Sequence, residues 1–317
     1  MLYLYSYNIY INITLIFIIL MLYPITFSIP QEKIVNFIHC KKKILSNLIP
    51  GNACTYIYNN EEDYYNEYRE SFFAMTTKKY GWDCLRHYEI LANGCIPFFP
   101  DIHLCPANTM ALLPKNLLLE GNLLYNEFSK KNINQLTEEN LNQYNLLVNK
   151  LLEYTRYNLT TIQLAKYILD KTNFKDVNNI LYLSGDTCPD YLRCLTLHGF
   201  KELLGIKCHD YPKIPHIYKS NTINYKQLYG KGISYTSLLE AELHDNSLDY
   251  NIKEYINNKY FDVIIYGSYH RGMPFFDNVN KIYKPSEIIL LCGEDIHSCN
   301  YDIYNNKGYN IFVRELH

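Results

Sequence analysis

The 317-residue chain has no Cys-x-x-Cys pair, no Gly-x-Gly-x-x-Gly or Walker loop, no internal repeat and no excess of either charge. Each lack removes a class of function. Lys and Arg number 30 against 32 Asp and Glu, so no basic stripe is available to neutralise a phosphate backbone, and no nucleic-acid partner is expected. Without a glycine-rich loop the usual cradle for dinucleotide or nucleoside-triphosphate phosphates is missing. The ten cysteines show no zinc-finger spacing, and Cys292, His297 and Cys299 lie close in sequence without an evident fourth ligand. No metal site is therefore expected, and the thiols are read as reduced. Several lie in apolar runs, where Cys behaves as a small hydrophobe.

The composition that remains is globular, with 48% hydrophobic and 20% charged residues, and the length suffices for two domains with buried cores. The 33 tyrosines are a compositional bias, so no single Tyr carries weight. Residues 1–30 stand apart, because Ile9–Ile29 is apolar and uncharged and near the minimum length for a membrane span. Basic residues come after it (Lys33, Lys41, Lys42, Lys43) rather than before it, which would leave the bulk of a membrane-associated chain facing the cytosol. Asn12 and Pro24 interrupt the run, however, and Pro24–Pro30 alternates like a strand. Membrane contact through residues 9–29 and a folded strand both remain open.

Beyond it, residues 31–133 alternate short apolar runs with helical patterns, residues 134–176 read as a helical connector starting at Thr137, and residues 177–317 return to α/β. Three buried strands are expected at Asn179–Leu183, Phe261–Gly267 and Glu287–Gly293, with a helix over Tyr191–Leu204. Ligands of open parallel sheets bind beyond the carboxyl ends of strands, so the loops after these three are the places to search.

Between Gly81 and Asp101 the pattern is a helix with Asp83 as expected N-cap, a stop at Asn93-Gly94 and a short strand from Cys95 to Phe99. Arg86 and Glu89 share one face of that helix. A carboxylate can accept ribose hydroxyls, and a helix start with basic side chains can stabilise a diphosphate, which assigns candidate roles to Glu89 and to Lys78, Lys79 and Arg86. Read in isolation, Arg86 and Glu89 are as readily an ordinary surface pair.

The segment Arg86-His-Tyr-Glu89-Ile-Leu-Ala-Asn-Gly94-Cys-Ile-Pro97 resembles the donor-binding half of exostosin-like glycosyltransferases, where an Arg and a Glu three apart precede a Gly-Cys-Ile-Pro strand. The resemblance covers about residues 70–120. It implies two Rossmann-like domains in a GT-B-like arrangement, a nucleotide-sugar co-substrate, inversion at the anomeric carbon, and no metal or other cofactor. Gly94 enters the donor-binding set through the same motif. The chain departs from the family at Gly81-Trp-Asp-Cys-Leu85, where most members carry a Gly- and Ser-containing turn. Further on, Asp190-Tyr191-Leu192, Leu197-His198-Gly199, Asp210-Tyr211-Pro212, Leu228–Gly232 and Gly293-Glu294-Asp295 resemble the N-terminal Rossmann half of related two-domain proteins of microbes and large DNA viruses. There that half runs through a segment like Phe312–Leu316 into one like Pro24–Pro30, so the two halves here stand in permuted order.

An inverting transferase needs a base beside the acceptor hydroxyl of a glycan or protein. Asp295 and Glu294 are the first candidates and His270 the second; Arg271 is a candidate for the diphosphate, and Asp186, Asp190 and His297 lie in the same loops. Two other classes compete: an inactive scaffold or membrane-associated protein with a transferase-derived fold, and a Rossmann-like methyltransferase reading of Leu181–Asp186.

Overall fold

The computed structural model describes residues 21–295 and 299–317. Among these residues nine strands form two all-parallel sheets: β1 (Leu22–Pro24), β2 (Lys43–Leu45), β3 (Ser71–Met75), β4 (Ile96–Phe98), β5 (Ile180–Leu183), β6 (Cys208–Tyr211), β7 (Val263–Tyr266), β8 (Ile288–Cys292) and β9 (Asn310–Val313). The larger sheet has the order β1-β9-β8-β7-β5-β6 and the smaller β2-β3-β4. The helices are α1 (Glu61–Arg69), α2 (Leu85–Ala92), α3 (Lys115–Phe128), α4 (Glu138–Asn158), α5 (Thr161–Lys171), α6 (Tyr191–Leu204), α7 (Asn246–Tyr250), α8 (Ile252–Asn257), α9 (Phe276–Ile282) and α10 (Tyr301–Asn305).

The expected strands at 179–183, 261–267 and 287–293 are β5, β7 and β8. Each is apolar throughout because both faces of the large sheet are covered. Ile180, Tyr182, Val263, Ile265, Ile289 and Leu291 face one core, with Leu164, Leu192 and Leu195 of α5 and α6. The alternate residues Leu181, Leu183, Ile264, Tyr266, Ile288 and Leu290 face another, with Ile252, Ile256 and Val279 of α8 and α9. Thr137 does start α4, its hydroxyl accepting from the Asn140 amide. The first core also takes in Phe72, Phe73, Trp82 and Leu85 around the small sheet and Leu147, Leu151 and Leu152 of α4, so one apolar interior joins the two sheets through the connector.

The N-terminal segment resolves in favour of a strand over the described part of the run. β1 pairs with β9 in parallel, Tyr23 opposite Phe312, and Ile25 donates to the Val313 carbonyl (3.1 Å). Ile25 through Pro30 are buried, so the hydrophobicity of this stretch goes into the protein's own core. That is a correction to a single span over 9–29; residues 9–20 lie outside the described residues. Among the described residues no helix is long and apolar enough to cross a membrane.

In the large sheet, chain order reverses between β5 and β7: β6 lies on one side of β5 and β7 on the other. The loops after β5, β7, β8 and β9 therefore open on one edge, at a topological switch point. Helices α5 and α6 cross so closely that a Cβ on Gly199 would overlap the Thr161 carbonyl. The substitution Gly199→Ala is expected to destabilise the fold by about 2–4 kcal/mol by overpacking. Urea unfolding against wild type measures it.

Candidate functional site

The turn before α2 is fixed from the far end of the chain. Glu315, just beyond β9, accepts the amides of Trp82 (3.0 Å) and Asp83 (2.9 Å). A Cβ on Gly81 would stand 2.5 Å from the Glu315 carboxylate, so a larger residue would have to push that carboxylate aside. Arg314 donates through Nη1 to the Asp83 carbonyl (2.5 Å) and to Glu315 Oε1 (3.0 Å), and through Nε and Nη2 to the Gly293 carbonyl. It pairs with Asp295 and lies over the Phe27 ring, 4.6 Å from its centre. The expected cap role of Asp83 is corrected by these contacts. Cys84 occupies the N-cap position of α2, while the Asp83 carboxylate turns inward to accept the Phe27 amide (2.7 Å) and the Tyr88 hydroxyl (2.9 Å). His87 is held between Thr76 (2.9 Å) and the Trp82 carbonyl (2.9 Å).

Arg86 and Glu89 are both buried, so they are not a surface pair. Among the described residues the Arg86 guanidinium reaches only Thr76 Oγ1 (3.4 Å) and Cys84 Sγ (3.6 Å), with the Tyr56 hydroxyl alongside. Glu89 accepts from Tyr64 (2.7 Å) and from Ser234 (2.6 Å), and burial raises its pKa against the opposing effect of those bonds and of Arg86. Ser234 belongs to the loop after β6 and has a left-handed φ of 74°. A neighbour in that loop, Lys231, donates to the Tyr58 carbonyl (2.5 Å). The polar face of α2 thus meets the larger-sheet half of the chain. Lys78 and Lys79 are exposed before this turn, Lys78 lying over the Trp82 ring at 5.1 Å. Gly94 is at the other end of α2 with φ +60°, buried against Val35 and Leu152, and its carbonyl takes Lys41 and Tyr144. It stops the helix; the structure gives it no place beside Arg86.

The loops of the large sheet bring the remaining candidates together. His270 Nε2 pairs with Glu294 (2.9 Å), and its Nδ1 is buried without a partner among the described residues. Burial lowers the His270 pKa, with Glu294 opposing. Asp295 is half-exposed, and its carboxylate would lie 3.1 Å from a Cβ on Gly81, at the turn before α2. Arg271 pairs with Asp190 (2.9 Å) and approaches Asp186 (3.8 Å). Asp190 also caps α6 by accepting the Arg193 amide and receives the Ser268 hydroxyl. Cys292 and Cys299 are paired as a disulfide, which corrects the reading of all thiols as reduced; the other described cysteines are free, and His297 lies outside the described residues. Sequence reasoning missed Tyr64, Ser234 and the pair Arg314-Glu315. The last had one signal, two adjacent opposite charges directly after an apolar strand.

No family model matches the chain, and comparison with curated proteins and with solved structures likewise gives no match. The site is therefore argued from its own chemistry.

The turn before α2 is testable in two ways. Arg314→Met strands Asp83, Asp295 and Glu315 without their shared cation and should cost about 3–5 kcal/mol in chemical denaturation. Burial holds the pKa of His87 down at about 3 and pushes that of Asp83 up to about 6. As pH falls below the ordinary histidine value, the unfolded chain binds a proton that folded His87 refuses, so stability present above that value is lost on acidification. Asp83 acts oppositely: rising pH strips the unfolded carboxyl first, and stability falls as pH climbs towards 6. His87→Gln should flatten the acid limb by about 1.4 kcal/mol per pH unit, and Asp83→Asn should steepen it. Denaturation series between roughly pH 4 and 6 read both slopes.

Proposed function

We propose that the chain is a glycosyltransferase that moves a sugar from a nucleotide-sugar donor to a hydroxyl of a glycan or protein acceptor. The reading takes the small sheet with α2 as the donor wall of a GT-B-like pair and the loops after β5, β7, β8 and β9 as the acceptor wall. One observation carries it: Arg86 is a buried guanidinium whose hydrogen bonds are long and go to neutral groups. A buried cation with no carboxylate in hydrogen-bonding contact among the described residues, Glu89 acting on it only through space, carries a desolvation cost that a binding site recovers when an anion arrives. Its place in the first turn of α2, where helix amides add to the positive potential, suits a diphosphate. Lys78 and Lys79 stand outside to guide it. Glu89 suits ribose hydroxyls, which would take the place of the Ser234 hydroxyl on Oε1.

In the proposed reaction the acceptor oxygen attacks the anomeric carbon as the bond to the diphosphate breaks, and the nucleoside diphosphate departs with that electron pair. The acceptor proton passes to a carboxylate or imidazole. Asp295 is the best candidate because it is half-exposed and adjoins Gly81; the His270–Glu294 pair is the second, Glu294 orienting the ring. Arg271, held by Asp190 and Asp186, is the candidate cation on this wall for the outer phosphate. No cofactor beyond the nucleotide sugar is invoked, and a cytosolic setting is part of the proposal.

A second reading has its own support, because Tyr64 and Ser234 already occupy both Glu89 oxygens, as in a site retired to a scaffold role. Arg86→Met separates the two. In a working site it should stabilise the unliganded protein by about 1–3 kcal/mol while abolishing thermal stabilisation by nucleoside diphosphates and their sugars. A wild-type protein that no member of a UDP-, GDP- and ADP-sugar panel stabilises, and from which no nucleotide is released, would sink the transferase reading.

A further inference from the structure

Away from this site, the loop after β6 folds back so that three residues far apart in sequence converge. His209 is on β6, His244 precedes α7 and Asp249 is in it. The Asp249 carboxylate faces both rings, Oδ1 at 2.9 Å from His209 Nε2 and Oδ2 at 3.0 Å from His244 Nε2. The two imidazoles stack with centres 4.9 Å apart, so both nitrogens approach from one side. The outer partner of His244 is Asp210, fully buried and accepting His244 Nδ1 (2.9 Å), the Tyr218 hydroxyl (2.6 Å), the Ile214 amide (3.1 Å) and Lys201 (3.0 Å), whereas His209 Nδ1 is buried without a partner among the described residues.

A carboxylate faces each ring nitrogen of His244, Asp210 at Nδ1 and Asp249 at Nε2. Filling both contacts at once needs a cation on the ring, which is either a second ring proton or one ring proton and a metal ion at Nε2. A carboxylate behind a histidine, fixing the ring and raising its basicity, is the habitual outer shell of a metal-bound imidazole. We propose that His209, His244 and Asp249 form a binding site for a divalent transition-metal ion of the zinc type.

The donor set supports the class of ion. Two imidazole nitrogens and one carboxylate suit a borderline cation such as Zn2+, and are too nitrogen-rich for Ca2+ or Mg2+. Bonds of about 2.0–2.1 Å at tetrahedral angles separate neighbouring ligand atoms by about 3.3–3.4 Å. Asp249 must therefore back away by a few tenths of an ångström. It can do so, because it sits in a five-residue helix with its side chain 30% exposed, whereas His244 and Asp210 are fixed in the interior. The open side next to Asp249 leaves the fourth position to water. Bound there, the ion staples the loop carrying His244 and Asp249 to β6. Another cluster, His270 with Cys292 and Cys299, has its two sulfurs committed to each other.

The test uses the full chain without a histidine tag, stripped with chelator and titrated with Zn2+. One equivalent should survive gel filtration, and His244→Gln or Asp249→Asn should retain less than a tenth of it. The melting temperature of wild type should rise by about 5 °C at a hundredfold excess over Kd, with no rise in either variant. Exposed Cys40, Cys54 and Cys188 can also take zinc, so Co2+ is substituted in the wild type. The visible spectrum should show d–d bands of a nitrogen–oxygen site without thiolate charge transfer. Loss of all metal on gel filtration with an unmoved melting temperature overturns the proposal, leaving a proton as the cation on His244. A thiolate spectrum, or variants that bind as wild type does, overturns it too.

Discussion

Everything in the candidate site depends on where one guanidinium sits. Arg314 comes directly after the last strand of the large sheet, yet its donors end on the β8 loop, on the turn before α2 and on its own neighbour Glu315, while its face covers Phe27 beyond β1. Four segments that share no local sequence are thereby held in one register. Burying a cation is tolerable only if every donor is used and the charge is answered. Here Asp295 and Glu315 answer it and three carbonyl contacts absorb the rest of the fork, which only arginine's planar geometry can supply at once.

Arg86, one turn away, presents the opposite case. It is as hidden from solvent, but its hydrogen bonds are long and neutral. A protein that can satisfy Arg314 so fully does not lack the means to satisfy Arg86, and that difference is what the proposed anion site rests on. The same contrast applies to carboxylates. Asp210 is pulled below the usual range, because the His244 bond and the Lys201 charge outweigh its burial, whereas Glu89 is raised because hydroxyls cannot offset its burial. Asp210 and Arg314 are bonded directly to opposite charges, whereas the hydrogen bonds of Arg86 and Glu89 go to neutral groups.

Much of the large sheet was legible because burial on both faces makes a strand apolar at every position, as in Ile180–Leu183 and Ile288–Cys292. The same physics hid β2: Lys43–Leu45 is only half-buried, three residues long, and carries a lysine that leaves the sheet to pair with Glu67. Asp83 read as a helix cap because the local rule rewards an acidic residue before a helix; a distant amide, that of Phe27, claims its carboxylate instead. Arg86 and Glu89 were legible as a pair but not as buried groups, since burial comes from Tyr64 and Ser234, neither of which a helical face reveals. His209, His244 and Asp249 escaped a search by spacing because the loop after β6, not a motif, sets their separation.

The large sheet also explains why its edge strand matters beyond three residues. β1 is the outermost strand, short and ending in Pro24, a position where a missing amide is harmless. Its importance lies in the segment it delivers, Ile25–Pro30. Once Leu22–Pro24 is registered on Ile311–Val313, Phe27 arrives under Arg314 with its amide on Asp83, and the turn before α2 is closed. The bonds from Glu315 that close this turn join residues more than two hundred positions apart, so their loop-closure entropy is recovered only after the rest of the sheet exists. The junction between the turn before α2 and the large sheet is thus a non-local part of the fold, and its geometry is set by the sheet rather than by the helix that carries the candidate residues.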